Sequence, residues 1–364
     1  MGKSHQHFIP RTYLKNFSHT NSGDTYLIDG FNKQEQRQKT DLSIYDVCVD
    51  TDLYTLNHLP ADKKYIIEDF FSNSVESHFP EVYKILVDDR ITEIDFRQRV
   101  KIIYTILSMY FRTPKVLNQF VAFTSDLLKN EREGKNIEVA NFLGQDINLE
   151  GKTFKQIKKE IREANRINYI TTQMQLLDQF VRYRMKDGIV VIKLVGNQEY
   201  VTSDNPVEIR TVSGLNFNLF DANNSIYVPL DPKHSLFIAP KAEGTILNKI
   251  FRQRDSFFQH VILNNSVFKN SERWTLGTKD GIKNFISDEK EYSTPGDGNH
   301  PIIKTFKDKL EIMQNLSRLS AKGVSRANKE LTDYVNKVKD TELFKSSIEY
   351  QDIYKQLKEM GLDI

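Results

Sequence analysis

Apolar and polar positions change period several times along the chain, and each change predicts an element. "DTYLIDGFNKQEQRQKT" reads as two short strands about a turn near Gly30 to Lys33, and "DLSIYDVCVDTDLYTL" continues in the same irregular β style. From about residue 63 the spacing becomes helical, with Ile67, Phe70, Phe71, Val75 and Phe79 on one side. A stronger helix follows in "TEIDFRQRVKIIYTILSMYFRTP". Thr92 is its expected N-cap, with Glu93 and Asp95 in the first turn, and Pro114 stops it. Its expected buried stripe is Phe96, Val100, Ile103, Leu107 and Phe111. Further helices are expected over 115–132 and 154–186, the second with Ile170, Met174, Leu177, Val181 and Met185 on one side. "EREGKN" and "GQDINLEGK" frame a looser surface stretch between them.

At Gly188 the period switches to two. "GIVVIKLVGNQEYVTSDNPVEI" predicts a hairpin about Gly196-Asn197, and "SIYVPLDPKHSLFIAP" adds two strands around Asp231-Pro232. A helical stretch is expected over 243–270, then "RWTLG". Residues 300–364 are mixed-charge and helical, and Leu343, Ile348, Ile353, Tyr354 and Leu357 approximate an apolar face. The expected class is α+β: a helical middle segment between an N-terminal β-containing part and a central antiparallel β-sheet, with a helical C-terminal extension. The expected division is an α+β domain over 1–280 and the extension over 281–364, whose helices would serve a protein partner or self-association.

Composition narrows the function classes. The 364 residues carry 51 basic and 49 acidic side chains, a formal net charge of +2, so no global field advertises a nucleic-acid or membrane partner. A local basic cleft is still compatible with that balance. The single cysteine, Cys48, excludes an intrachain disulfide and a zinc site of several thiolates, and its setting reads as packing. No apolar run reaches the ~18 residues of a membrane helix, and the first residues lack a signal-peptide apolar region. A cytoplasmic protein is the expectation.

Candidate chemistry begins in "SHQHFIPRTYLKNF". Pro10 pushes Ile9 towards an extended conformation, and Tyr13, Leu14 and Phe17 have the spacing of a short helix, so Arg11 sits at a strand-to-helix corner. A guanidinium there suits an anion. His5 and His7 lie one strand period apart and share a face, an arrangement suited to a metal or to proton transfer near neutral pH. The alternative is a solvated terminus, which the apolar Phe8, Ile9, Leu14 and Phe17 oppose.

A second stretch, "YVTSDNPVEI", ends a strand in Ser203-Asp204-Asn205-Pro206. These residues favour a tight turn, and an acid at a strand end also suits a general base or metal ligand. Both readings stay open. Arg112 closes an apolar helix and needs a partner, either a carboxylate or a bound phosphate. Glu76 and His78 point to different helix faces, and His234 reads as a satisfied histidine beside the Asp231 turn. Gly-rich phosphate loops, GxSxG and HExxH are absent from the sequence. "HFIPR" resembles the start of an HNH nuclease motif, but after Asn16 the next histidines, His19 and His58, are too close and too far along the chain.

Together these stretches resemble an uncharacterised, mainly bacterial family, "domain of unknown function 4238". Its His-x-x-Pro-Arg-x-Tyr-Leu-x-x-Phe opening falls on His7, Pro10, Arg11, Tyr13, Leu14 and Phe17, and its Thr-Ser-Asp-x-Pro turn is matched by "TSDNPV". The resemblance covers about residues 5 to 280 and implies no established activity. It places His7, Arg11 and Asp204 in signature segments.

The functional expectation is a nucleic-acid-cleaving effector of a bacterial defence or toxin kind. His7 would act as general acid or base, Arg11 would stabilise phosphorane charge, and Asp204 would orient His7 or hold a divalent metal ion. Tyr13, Arg112, Ser203 and Asn205 are the candidates for substrate binding. The rival expectation is a non-catalytic binding or regulatory protein in which both motifs are structural.

Overall fold

A computed structural model of the chain describes residues 5–20, 25–56, 60–116, 129–130, 133, 139–142, 145–153, 155–157, 173–210, 219–241, 245–255, 258–292, 329–345, 351, 354–355 and 358. Strand β1 (His5–His7) pairs antiparallel with β5 (Val49–Thr51), with His7 opposite Val49. Pro10 then accepts the amides of Tyr13 and Leu14, starting the short helix α1 (Arg11–Leu14), which continues as a 3-10 turn over Lys15–Phe17. Phe8, Ile9, Tyr13, Leu14 and Phe17 are buried, as their apolar spacing predicts. The opening segment is therefore core, not a solvated tail.

Strand β2 (His19–Thr20) pairs with β3 (Tyr26–Asn32), which also pairs with β4 (Arg37–Ser43). The turn lies at Lys33–Gln36, meeting the expected Gly30 to Lys33 stretch only at its end. Gly30 is a packing glycine: a Cβ there would meet Leu276 at 2.9 Å and Trp274 at 3.2 Å. The expected helical span after residue 63 is real but broken into α2 (Ile66–Ser74), a 3-10 turn at Glu76–His78, and α3 (Phe79–Val87). Val75 leaves helical geometry, and Pro80 at the start of α3 cannot donate to a preceding turn.

Helix α4 (Phe96–Phe111) is capped by Asp95, not Thr92. The Asp95 carboxylate accepts the Gln98 amide while the Gln98 side chain accepts the Asp95 amide. Its buried face is also rotated from the expected stripe. Phe96 is exposed, whereas Arg99, Ile102, Ile103, Ile106 and Leu107 are buried. The apolar-only criterion missed Arg99, whose guanidinium is accommodated by the carbonyls of Met185 and Leu247.

The looser stretch before Leu149 contains a small hairpin, β6 (Val139–Phe142) with β7 (Gln145–Asn148). Most of the helix expected over 115–132, and much of that over 154–186, lies outside the described residues; 155–157 and 173–184 are helical. Leu177 and Val181 are buried as expected.

The largest correction concerns the β-rich centre. Strand β8 (Gly188–Leu194) and β9 (Thr202–Ser203) do not form a hairpin about Gly196. Strand β8 lies between β12 (His234–Ala239) and β13 (Ile250–Asp255), and β11 (Ser225–Pro229) and β10 (Glu208–Arg210) complete that five-stranded sheet. Strand β9 instead joins β14 (Trp274–Gly277), which pairs on its other side with β3. The expected β11–β12 hairpin is present around Asp231-Pro232. Residues 250–255 are a strand where a helix was expected, and the helix is confined to Phe258–Asn270.

The class is α+β, with both five-stranded sheets containing antiparallel pairs. The chain divides into two compact units. The first comprises 1–193, 199–253 and 263–285, and the second comprises 194–198, 254–262 and 286–364. In the second, helices cover Lys329–Val338 and Glu342–Lys345, with Val335 and Phe344 buried and the Phe344 ring edge-on to Tyr354. Ile348, Ile353 and Leu357 of the expected apolar face lie outside the described residues. Among the described residues no helix is long and apolar enough to cross a membrane.

Candidate functional site

The β1 ladder positions His7. Its ring is buried, and Nε2 lies 3.3 Å from the Ile44 carbonyl, so Nε2 carries the proton and Nδ1 is an acceptor. Burial and the neighbouring Arg11 charge pull its pKa from 6.5 down to about 4, leaving the imidazole neutral at physiological pH. Arg11 itself is exposed at the start of α1, with its guanidinium 4.7 Å above the Tyr45 ring.

Arg112, one residue beyond α4, reaches the same place from the opposite direction. Its fully buried guanidinium donates at 2.7 Å to the His7 carbonyl and at 2.7 Å to Glu76 Oε1. It also lies 4.3 Å over the Phe71 ring, and its carbonyl accepts the Tyr54 hydroxyl. Burial works against the Arg112 charge, but Tyr54 and Glu76 more than offset it and hold the guanidinium protonated. The partner required by a charged group at a buried helix end is thus a carboxylate. Glu76 could not be singled out from sequence because the break after α2 re-aims it.

Glu68, on α2, is the residue that sequence reasoning missed. Burial raises its pKa from 4.5 to about 7, with Arg112 opposing the shift and Glu76 adding to it. Its Oε2 is buried without a hydrogen-bond partner, as is Nη1 of Arg112. A carboxyl with its pKa raised to about 7, the Glu76 carboxyl paired with Arg112, a neutral imidazole and two guanidiniums therefore share one electrostatic neighbourhood. Only the helical stripe pattern was visible around Glu68, and polar positions on such a stripe read as solvent-facing.

The other signature segment is built differently. Asp204 is buried, and its carboxylate accepts the backbone amides of Glu272, Arg273 and Trp274 at 2.9, 2.7 and 2.9 Å. Burial raises its pKa while these three donors oppose the rise. Both oxygens are occupied in tying the turn after β9 to the start of β14. Ser203 Oγ accepts the Asn205 amide at 3.0 Å, so the expected tight turn is present. Tyr13 links the two segments: its hydroxyl meets Thr202 Oγ1 at 2.6 Å and donates to the Pro229 carbonyl at 2.8 Å.

The structure thus gathers His7, Arg11 and Arg112, and it gathers Ser203, Asp204 and Asn205. Tyr13 is shared scaffold. No hydrogen bond joins His7 to Asp204. Among the described residues no group of three or more His, Cys, Asp or Glu side chains could hold a metal ion. His234 pairs with Asp231 at 2.9 Å, and buried Cys48, at φ 55°, has its thiol pKa pushed well up by burial.

A family model described as "Protein of unknown function (DUF4238)" matches residues 5–281, which span the His7 opening, the Asp204 turn and β14. The chain belongs to this family. Comparison with curated proteins and with solved structures finds no match. Both signature segments of the family lie in the first unit, and Tyr13 of one is hydrogen-bonded to Thr202 of the other.

Proposed function

We propose that the chain hydrolyses phosphodiester bonds, as a nucleic-acid-cleaving effector of the bacterial defence or toxin kind, from the neighbourhood of His7, Arg11, Glu68, Glu76 and Arg112. The observation that carries the reading is Glu68, a carboxyl held at a pKa of about 7 beside two guanidiniums. A group poised near the operating pH is the efficient general acid–base. Ionised Glu68 takes a proton from water as the water oxygen bonds to phosphorus, the P–O bond to the leaving oxygen breaks, that oxygen is protonated from solvent, and Glu68 returns its proton to solvent. Exposed Arg11 meets the phosphate charge, a task for which the planar fork suits better than an ammonium. Arg112 and Glu76 are positioning residues, because their ion pair is built into the wall. In this reading Asp204 is architectural, and no step is routed through a metal.

The test is cleavage of single- and double-stranded RNA and DNA by the full chain, with and without chelator. Glu68→Gln is expected to reduce cleavage by about 100-fold or more while the chain stays folded. Arg11→Lys should reduce it by roughly tenfold. Absence of cleavage of all four substrates, or an unaffected Glu68→Gln, would remove the reading. The second reading is a non-catalytic binding protein. It is favoured by the way Asp204 and Tyr13, both signature residues, are wholly engaged in holding the fold.

A further inference from the structure

Arg11 and Lys15 stand one helical turn apart, on α1 and its 3-10 continuation, and both are exposed. Residues four apart share a face, with their Cβ atoms roughly 6 Å from one another. The Arg11 guanidinium lies 4.7 Å above the Tyr45 ring, and the Lys15 ammonium lies 4.2 Å above the Tyr26 ring. The two tyrosines are neighbours because the Ile44 amide, next to Tyr45, donates to the Tyr26 carbonyl at 3.1 Å. Both are half-buried and packed against the core. Two cations and two tyrosines from three segments thus form one surface strip.

Within the described residues the fold leaves these charges unneutralised: neither Arg11 nor Lys15 donates a side-chain hydrogen bond or meets a carboxylate. Asp41, an exposed acid of β4, lies 3.0 Å from His19 Nε2 instead. A ring face attracts a cation without cancelling its charge. Side chains held only by ring faces can lift to an anion and leave those faces to a flat group, and the planar guanidinium itself stacks on flat groups. Arg11 also joins the strip to the proposed site, because its charge acts on both His7 and Glu68.

A ligand that fits must repeat an anion at short intervals and carry a flat aromatic group with each one. Single-stranded nucleic acid has both. In a duplex the base faces are stacked on one another and do not reach a half-buried ring, and a phosphate chain or an acidic peptide supplies the anions alone. We propose that Arg11, Lys15, Tyr26 and Tyr45 form a binding strip for single-stranded nucleic acid, which leads the strand to His7 and Glu68. The cations take successive phosphates and the rings take bases. The inference deepens the hydrolysis reading and rests on it for where the strand leads, but its test reads binding, so the two can fail separately.

Equilibrium binding to the full chain is measured by fluorescence anisotropy with labelled oligouridylate and oligothymidylate of about 12 nucleotides. The comparisons are the same strands annealed to their complements and a linear polyphosphate of equal charge, and cleavage of each oligonucleotide is followed on gels. At least one single strand is expected to bind about tenfold or more tightly than its duplex and than polyphosphate. Tyr26→Leu and Tyr45→Leu, which keep apolar bulk, should each weaken single-strand binding roughly tenfold and leave polyphosphate binding unchanged. Lys15→Gln should weaken both and lower the salt dependence of single-strand binding by about one phosphate contact. Failure of both single strands to bind, or equally tight binding of duplex or polyphosphate, would overturn the proposal. Those comparisons need only the wild-type chain, so they decide the matter even where a tyrosine variant fails to fold. Single-strand binding without cleavage would remove the hydrolysis reading and leave the strip standing.

Discussion

The surroundings of the two signature segments treat buried charged side chains in opposite ways. Asp204 is buried and fully occupied: three backbone amides converge on its carboxylate and join two strands of one sheet. Around His7, Arg112 is also withdrawn from water while Arg11 stays exposed, and Glu68 Oε2 and Arg112 Nη1 have no partner. A satisfied buried acid stabilises a fold, whereas unsatisfied groups with displaced pKa values give up stability and gain reactivity. Buried charged groups beside the two signature segments therefore serve different ends, and counting partners tells them apart.

The sharpest way to break this comparison is Asp204→Ala. It leaves three amides without an acceptor, that of Trp274 buried and the other two partly so, and should cost about 3 kcal/mol or more in denaturant unfolding at neutral pH. A loss below about 1 kcal/mol would show the carboxylate to be available for other work. Arg112→Met should cost less, at most about 3 kcal/mol, because Glu76 keeps partial access to solvent once its partner is gone. Glu76→Gln in the same background should recover part of that loss, and its failure to do so would remove the ion pair from the account.

The third test is a pH profile. His7 falls from 6.5 to about 4 on folding, so the stability it contributes is full above 6.5 and is lost as pH falls towards 4. Glu68 rises from 4.5 to about 7, so its contribution is full below 4.5 and is lost as pH rises towards 7. Between 4.5 and 6.5 the two slopes oppose each other. Glu68→Gln removes one of them, and stability in that window should then climb with pH more steeply than in the wild type, by up to about 1.4 kcal/mol per unit. Identical profiles would show that Glu68 titrates as an ordinary surface carboxyl. The smallest effect belongs to Arg11→Ala, where an exposed charge should change stability by less than about 0.5 kcal/mol. A larger loss would make Arg11 part of the scaffold.

Local pattern was enough to place the opening segment in the core, because Phe8, Tyr13, Leu14 and Phe17 have no reason to recur in a solvated tail. It was also enough for the α+β class, the existence of α4, the β11–β12 hairpin and the tight turn at Ser203. Each of these depends on neighbours within a few residues. Strand partners do not: β8 and β9 read as a hairpin because they are adjacent in sequence, yet β9 pairs with β14, some seventy positions later. The same holds for the candidate site. His7, Arg11 and Arg112 were visible as residue types, but Glu68 and Glu76 became neighbours of them only through the break after α2 and the packing of α4. The pKa of Glu68 is set by exclusion of water and by charges from separate segments. Those are properties of the packed chain, since a carboxyl next to the same residues in an unfolded chain would remain hydrated and titrate normally.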